Sequence, residues 1–382
     1  MLFEQERRLL ERAGQQVIVY CRSNSEAQVY SALKGVALAA NAVWSSSSYR
    51  EVARLLAREK PDVVHVHNTF VMVSPSVFAA CHEARVPAVW TLHNFRLFCP
   101  AATFFRREKV CEECQEHSLW RSIRYACYHN SRPVTAVVAL MLAVNHRRGT
   151  WTQGVTRFIA LTAFTREKFI ECGLPAHKIV IKPNFVHPDP GGGLDGGDYA
   201  LFVGRLAPEK RVSTMLLAWS RLRTNIPLRV IGGGLQRAEL QAEAARLRLT
   251  NVRFEGYVER EKTIAAMKGA RFLVFSSEWY EGFPLTIAES FACSTPVICS
   301  RMGAMQELVE DGHTGLHFTP GDPEDLAEKL EWAWSHPAAM RQMGAEARRE
   351  YEAKYTAEKN YPMLMKIYEE ARAACAASDG DH

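Results

Sequence analysis

The chain has no long hydrophobic run. Its longest apolar stretch, Val134 to Val144, is eleven residues including Thr135, whereas a membrane-spanning helix needs ~20. It therefore reads either as a buried or half-buried helix or as a membrane-surface contact. Met1 to Gly14 is an amphipathic, Glu- and Arg-rich helical pattern with no apolar signal core and no small-residue cleavage site, so a cytoplasmic chain is expected. There is no Lys/Arg run, no finger spacing and no aromatic RNA-binding signature, which excludes a nucleic-acid module. Charge of one sign is also scarce: 47 basic against 42 acidic side chains give a net +5, a slight excess suited to phosphates or an anionic membrane surface.

What is present is apolar content of 47% over 382 residues, enough for two ordinary cores. Short β-branched runs alternate with helical patterns, the mark of parallel sheets covered by helices, so the fold class is α/β. Strands are expected at Val17 to Tyr20, Val63 to Val66, Ala88 to Leu92 and Phe158 to Leu161. Apolar spacing predicts helices at Leu2 to Arg12 and Tyr49 to Glu59, stopped by Gly14 and Pro61. The segment PDPGGGLDGG, Pro188 to Gly197, has the composition of a flexible joint. Beyond it a second sheet is expected from Tyr199 to Val203, Leu228 to Ile231, Val252 to Gly256, Phe272 to Phe275 and Pro296 to Cys299. The expected domains are 1–187, with a Cys-containing insertion at about 99–150, a hinge at 188–197, a second domain at 198–361, and a last helix with tail at 362–382. A doubly wound domain normally opens on a buried strand with a Gly-rich turn. Here a helix starts almost at Met1, so the first strand is expected to be encoded upstream or lost.

The richest segment is SSEWYEGFPLTIAESFACSTPVICS, Ser276 to Ser300. It leaves a strand and enters a helix, with Pro284 suited to the first helical turn, so that amides around Gly282, Phe283, Leu285 and Thr286 can face a diphosphate. Glu281 and Glu289 are then about 12 Å apart along the helix direction at ~1.5 Å per residue, one for a sugar and one for a ribose. Alone, two such glutamates read as a solvated helix face; the surrounding turn and strands favour a site. Upstream, FVGRLAPEKRV, Phe202 to Val212, ends a strand at Gly204 and releases Arg205 and Lys210. These suit a leaving diphosphate without a metal, against the plainer alternative of a surface pair with Glu209. Gly232, Gly233 and Gly234 form another strand exit, read as a tight turn, a close nucleotide approach, or both.

These features resemble the retaining glycosyltransferases of family four, of GT-B fold. The resemblance rests on Glu281 with Glu289, GRLAPEK, the glycine triplet and the THN-like strand end in TLHNFRLFCP, Thr91 to Pro100. It implies two Rossmann-like domains facing a cleft, with the last helix returning to the first domain. Glu281 is implied to contact hexose hydroxyls, Glu289 the ribose, Arg205 and Lys210 the diphosphate, and the base is implied near Gly256 to Glu259. His93 is implied as the catalytic-cleft residue. His65 and His67 in VVHVHN share one face, and at least one is expected to be a satisfied core histidine. The implied activity is transfer of a hexose-type sugar from a nucleotide-diphosphate donor to a glycan or lipid-linked acceptor in cell-envelope polysaccharide synthesis, without a catalytic cofactor and with peripheral contact at the inner membrane face. A sugar-nucleotide epimerase or a degenerate donor-binding subunit are the alternatives.

Ten cysteines in a cytoplasmic-looking chain argue for thiols or metal before disulfides. Cys99, Cys111, Cys114 and Cys127 contain one C-x-x-C, and four thiolates could close a tetrahedral structural zinc site. Zinc and unligated thiols both stay open at this point.

Overall fold

The computed structural model describes residues 2–23, 39–193 and 197–379, and the chain divides into two compact units. The first takes the chain up to Phe104, Cys111–Lys182 and the chain from Tyr361; the second takes Phe105–Val110 and Pro183–Asn360.

In the first unit, strands β1 (Val64–Val66), β2 (Ala88–Thr91), β5 (Arg157–Ala160) and β6 (Ile179–Ile181) form one parallel sheet in the order β1-β2-β5-β6. All four residues of β2 are buried, as a central parallel strand covered on both faces must be. The helix Ser46–Glu59 starts where Ser45 accepts from the Ser48 amide and stops where Lys60 turns left-handed at φ 45°, a capped segment that buries Val52 and Leu56. The helix Ala357–Asp379 lays Leu364, Ile367 and Ala371 against Val89 and Ile159. The apolar run at Val134 lies in the helix Arg132–Arg147, which buries Val138, Met141 and Leu142 and exposes Val134 and Leu140. It is a one-sided helix. Among the described residues no helix is long and apolar enough to cross a membrane.

The strand expected at Val17 to Tyr20 does not form: Ile18 and Val19 are 43% and 41% exposed, and no ladder joins this segment to the sheet among the described residues. β-branched content raises strand tendency only where partner backbone is in place to accept the hydrogen bonds.

The second unit is a six-stranded parallel sheet, β12-β11-β10-β7-β8-β9. Its strands are β7 (Ala200–Val203), β8 (Leu228–Ile231), β9 (Val252–Gly256), β10 (Phe272–Phe275), β11 (Val297–Ser300) and β12 (Gly315–Phe318). Side-chain alternation builds two cores. Phe202, Phe272 and Val274 pack with Leu216, Trp219 and Leu330 on one face. Leu201, Leu273 and Phe275 pack with Ile287, Phe291 and Tyr351 on the other. The chain runs from β7 to β8 and β9 on one side, then returns to place β10 on the other side of β7. The exits of β7 and β10 therefore flank the topological switch point, where ligands of open α/β sheets bind.

The segment expected as a joint belongs, in its described part, to the second unit. Asp189 holds Arg348 through two bonds of 2.7 and 2.6 Å, and the Gly193 amide donates to the Cys293 carbonyl at 2.8 Å. A Cβ at Gly197 would stand 1.6 Å from the Gly269 carbonyl oxygen. Here glycine serves close backbone approach, and the second unit takes up the chain at Pro183.

Candidate active site

The switch point of the second unit gathers the residues singled out above. After β7 the loop passes through Gly204 and Arg205 into a short 3-10 turn, Pro208–Lys210. Lys210 Nζ donates to Glu281 Oε1. The same oxygen accepts from Trp279 Nε1 at 2.7 Å and from Ser277 Oγ at 2.9 Å. Glu281 is 7% exposed, and Lys210 Nζ also lies over the Phe275 ring at 4.9 Å. A buried carboxylate with three donors, one of them a cation, is fixed in orientation, and its charge is balanced by one side chain. Arg205 behaves differently. Its side chain is 72% exposed and pairs with Glu209 at 2.9 Å, an i,i+4 surface contact that contributes little to stability.

Glu281 sits in the turn before the helix Leu285–Ala292, whose N-cap is Pro284 with no side-chain cap. The helical rise used to space it from Glu289 therefore applies only beyond Leu285. Phe283 and Leu285 turn their side chains toward the apolar core, and Phe283 meets Tyr355 edge-on at 5.6 Å. Gly282 to Thr286 can thus offer a ligand mainly backbone. Glu289, within the helix, is held by Arg260. Burial raises its pKa above the usual carboxylate value, and Arg260 opposes that rise.

The glycine triplet follows β8. Gly232 has φ +140°, and a Cβ there would meet the Gly204 carbonyl oxygen at 1.8 Å; at Gly234, φ +159°, it would meet that of Leu206 at 2.2 Å. These two glycines let the β7 and β8 exits cross. A Cβ on Gly233 meets nothing within 4 Å, so its backbone borders open space at the same sheet edge.

In the first unit His93 follows β2 and lines a concavity with His67, Asn94, Arg96, Leu142 and Trp151. His93 Nε2 faces His67 Nδ1 at 3.0 Å, and His67 Nε2 faces Glu6 Oε1 at 3.2 Å. Burial, then His67, pushes the His93 pKa down to about 3, so the ring is neutral at neutral pH. Burial would raise Glu6, but His65 and Lys182 outweigh it and hold its carboxyl well below the ordinary range. One of the two facing nitrogens, His93 Nε2 or His67 Nδ1, carries the proton of their contact, according to the tautomers of the rings. His65 has partners on both nitrogens, Tyr368 Oη and Thr91 Oγ1, each at 2.8 Å: a satisfied core histidine.

Cys99, Cys111, Cys114 and Cys127 all lie in the first unit. Burial first, then Cys99, Cys127 and Cys111, push the Cys114 thiol up to about 12. Residues not singled out from sequence are Trp279, Ser277 and Arg260 in the second unit and Glu6 and Lys182 in the first. Trp279 and Ser277 lie inside the glutamate segment, where proximity to Glu281 was a usable signal. Arg260, 29 residues from Glu289, and the Glu6–Lys182 pair, 176 residues apart, carry no local signal.

Two parallel α/β units, the second with a site at its sheet switch point, make up the GT-B architecture. Solved structures share the fold: Anabaena Alr3699/HepE in complex with UDP aligns over 95% of this chain and 89% of its own, with a TM-score of 0.65 at 17% identity. Sucrose-phosphate synthase from Thermosynechococcus elongatus aligns over 85% and 77%, at 0.62 and 19%. The sequence pattern described as Glycosyltransferase Family 4 matches residues 4–190, and that described as Glycosyl transferases group 1 matches residues 191–350. The chain belongs to glycosyltransferase family four. Among curated relatives, D-rhamnosyltransferase WbpZ of Pseudomonas aeruginosa is 32% identical over 164 residues, 42% of each chain. O-antigen chain mannosyltransferase C of Escherichia coli is 28% identical over 175 residues, 45% of this chain and 47% of that one. The matched region spans less than half the length of these relatives.

Proposed function

We propose that this chain is a retaining glycosyltransferase that moves a hexose-type sugar from a nucleotide-diphosphate donor to a glycan or lipid-linked acceptor in cell-envelope polysaccharide synthesis. The observation that carries the reading is the Lys210–Glu281 pair at the β7/β10 switch point, beside an uncapped helix start. The names of the relatives, and the UDP in the HepE crystal structure, agree with it.

On donor binding Lys210 turns from Glu281 to the diphosphate. Glu281 Oε1, still held by Trp279 and Ser277, then accepts from sugar hydroxyls, and Glu289 exchanges Arg260 for the ribose. Arg205, exposed and paired with Glu209, adds a second cation, and the amides at Gly282 to Thr286 add donors. The C1–O bond to the diphosphate breaks while the acceptor oxygen attacks C1 from the same face. The acceptor proton passes to the departing phosphate oxygen, so no protein base is needed. Neutral His93 suits a hydrogen bond with a sugar hydroxyl. Peripheral membrane contact belongs to the same proposal: Trp120, Val134 and Leu140 are exposed on the adjacent helices Trp120–Arg124 and Arg132–Arg147.

The test is a screen of UDP- and GDP-sugars with oligosaccharide and lipid-linked acceptors, followed by NMR of the product. Release of nucleotide diphosphate with a retained anomeric linkage is expected. An inverted linkage refutes the mechanism, and epimerised donor formed without acceptor refutes the transferase.

A further inference from the structure

Two strands of the first unit run out into the same dipeptide. β1 leads directly into His67-Asn68, and β2, one residue on, into His93-Asn94. These are neighbouring parallel exits at the carboxyl edge of the sheet, where open α/β sheets take ligands. At each exit the asparagine folds back on the chain: Asn68 Oδ1 accepts from the Phe70 amide and Asn94 Oδ1 from the Arg96 amide, both at 3.0 Å. A backbone N–H pairs with the side-chain oxygen, so each asparagine keeps its NH2 as a donor. Both asparagines line the concavity that holds His93.

Arg96 lines it too, and among the described residues no carboxylate meets its charge. One guanidinium nitrogen donates to the Pro100 carbonyl, and the group lies over two rings, 4.4 Å from Phe70 and 4.7 Å from Tyr128. Tyr128 comes back to it after the chain has passed through the two-residue strands β3 (Phe105–Arg106) and β4 (Lys109–Val110) and the helices Glu113–Glu116 and Trp120–Arg124. Burial lowers the Arg96 pKa, and the groups that raise it are Tyr128 and Cys99, with no Asp or Glu among them. None of the described residues lining the concavity is acidic; Glu6, behind His67, is paired with Lys182 at 3.1 Å. A half-buried cation held by ring faces without a counter-ion has much to gain from an anion. The remaining lining is mostly apolar and buried, including Trp90, Leu92, Met141, Leu142 and Trp151. Met141 and Leu142 belong to the helix Arg132–Arg147, which exposes Val134 and Leu140 elsewhere on its surface.

We propose that this concavity binds the acceptor through a phosphate group, taken by Arg96 and the side-chain NH2 groups of Asn68 and Asn94, with the first carbons of the phosphate's alkyl chain on the apolar lining. The acceptor class is then a lipid phosphate or diphosphate and not a neutral glycan. That assignment of role rests on the transferase reading above. The chemistry matches on three counts. The phosphate supplies the negative charge that Arg96 lacks, its oxygens accept from the guanidinium and both amides, and the adjoining carbons leave water for the surfaces of Trp90, Met141 and Leu142. A neutral sugar would satisfy the amides and leave the cation uncompensated.

The test is calorimetric titration of the full chain with octyl phosphate, octyl glucoside and inorganic phosphate, the octyl compounds kept below micelle-forming concentrations, on wild type, Arg96→Gln and Lys210→Ala. Wild type should prefer octyl phosphate to both other probes by about tenfold or more. The preference should vanish in Arg96→Gln and persist in Lys210→Ala. In the wild type alone, affinity for octyl phosphate should fall as NaCl is added while that for octyl glucoside holds, a readout that needs no variant to fold. No binding of octyl phosphate, or binding equal to that of octyl glucoside or of inorganic phosphate, overturns the proposal. So does a preference kept by Arg96→Gln and lost in Lys210→Ala, which would put the phosphate at the β7 and β10 exits. UDP judges the donor reading separately: its failure to bind counts against that reading and leaves the octyl phosphate comparison standing.

Discussion

Replacing Glu281 by glutamine removes one charge and keeps the shape. The glutamine carbonyl oxygen can still accept from Trp279 and Ser277, so the loss falls on Lys210, whose side chain is 13% exposed and whose partner carboxylate is 9% exposed. Breaking a buried pair by removing one partner costs about 3–5 kcal/mol. The lower end suits a lysine that keeps an edge in solvent and a ring face at 4.9 Å. For a unit of this size, about 3 kcal/mol lowers Tm by roughly 6–12 °C. Lys210→Met in the same background should recover part of that loss, with a coupling of roughly 2 kcal/mol in a double-mutant cycle by urea unfolding. Binding separates the same pair. In Glu281→Gln, Lys210 has no competing carboxylate, so nucleotide-diphosphate affinity should hold or rise while transfer falls by about 100-fold or more. A cycle additive within about 0.5 kcal/mol, or equal losses of binding and transfer, would refute the reasoning.

Gly232→Ala places a Cβ 1.8 Å from the Gly204 oxygen and should leave the chain insoluble or lower Tm by more than about 10 °C, whereas Gly233→Ala should keep Tm within about 2 °C and weaken nucleotide binding several-fold; differential scanning fluorimetry with calorimetry reads both. Ionised Glu289 accepts from ribose hydroxyls more strongly than the acid and its pKa is already raised by burial, so nucleotide affinity should fall on acidification, and Arg260→Ala should move that fall to higher pH in calorimetric titrations. The pKa of His93 is held down to about 3. The unfolded chain therefore takes up a proton below ~6.5 that the folded chain refuses, and stability, full above that pH, should drop by about 1.4 kcal/mol per pH unit toward 3 for this group. His65 and Glu6 act in the same direction; His93→Gln should flatten the slope of urea-unfolding free energy against pH, and an unchanged slope would contradict the assignment.

The α/β class was legible because a parallel strand covered on both faces is a nearly continuous apolar run, as at Phe272–Phe275, where β10 forms, while the edge strand β9, Val252–Gly256, alternates apolar and charged residues. Val17 to Tyr20 has the same composition and no ladder, because strand formation needs neighbouring backbone that a local window cannot supply. The order of strands was equally silent in sequence, yet it brings Lys210 to Glu281 across 71 positions by setting β10 beside β7. Arg205 shows the reverse limit: a strand exit releases a cation, but its direction is set by the nearest carboxylate, here Glu209. The glycines at 191–193 and 197 read as flexible from composition, while at Gly193 and Gly197 the missing side chain lets backbones come together.

The central claim is that a pyrophosphate is held where the exits of β7 and β10 meet the start of the helix Leu285–Ala292. Calorimetric titration of wild type and Lys210→Ala with UDP, GDP and the matching nucleosides tests it most directly. Measurable diphosphate binding that weakens about tenfold or more in the variant, with nucleoside binding unchanged, is the predicted result. Diphosphate affinity equal in the two proteins would contradict it.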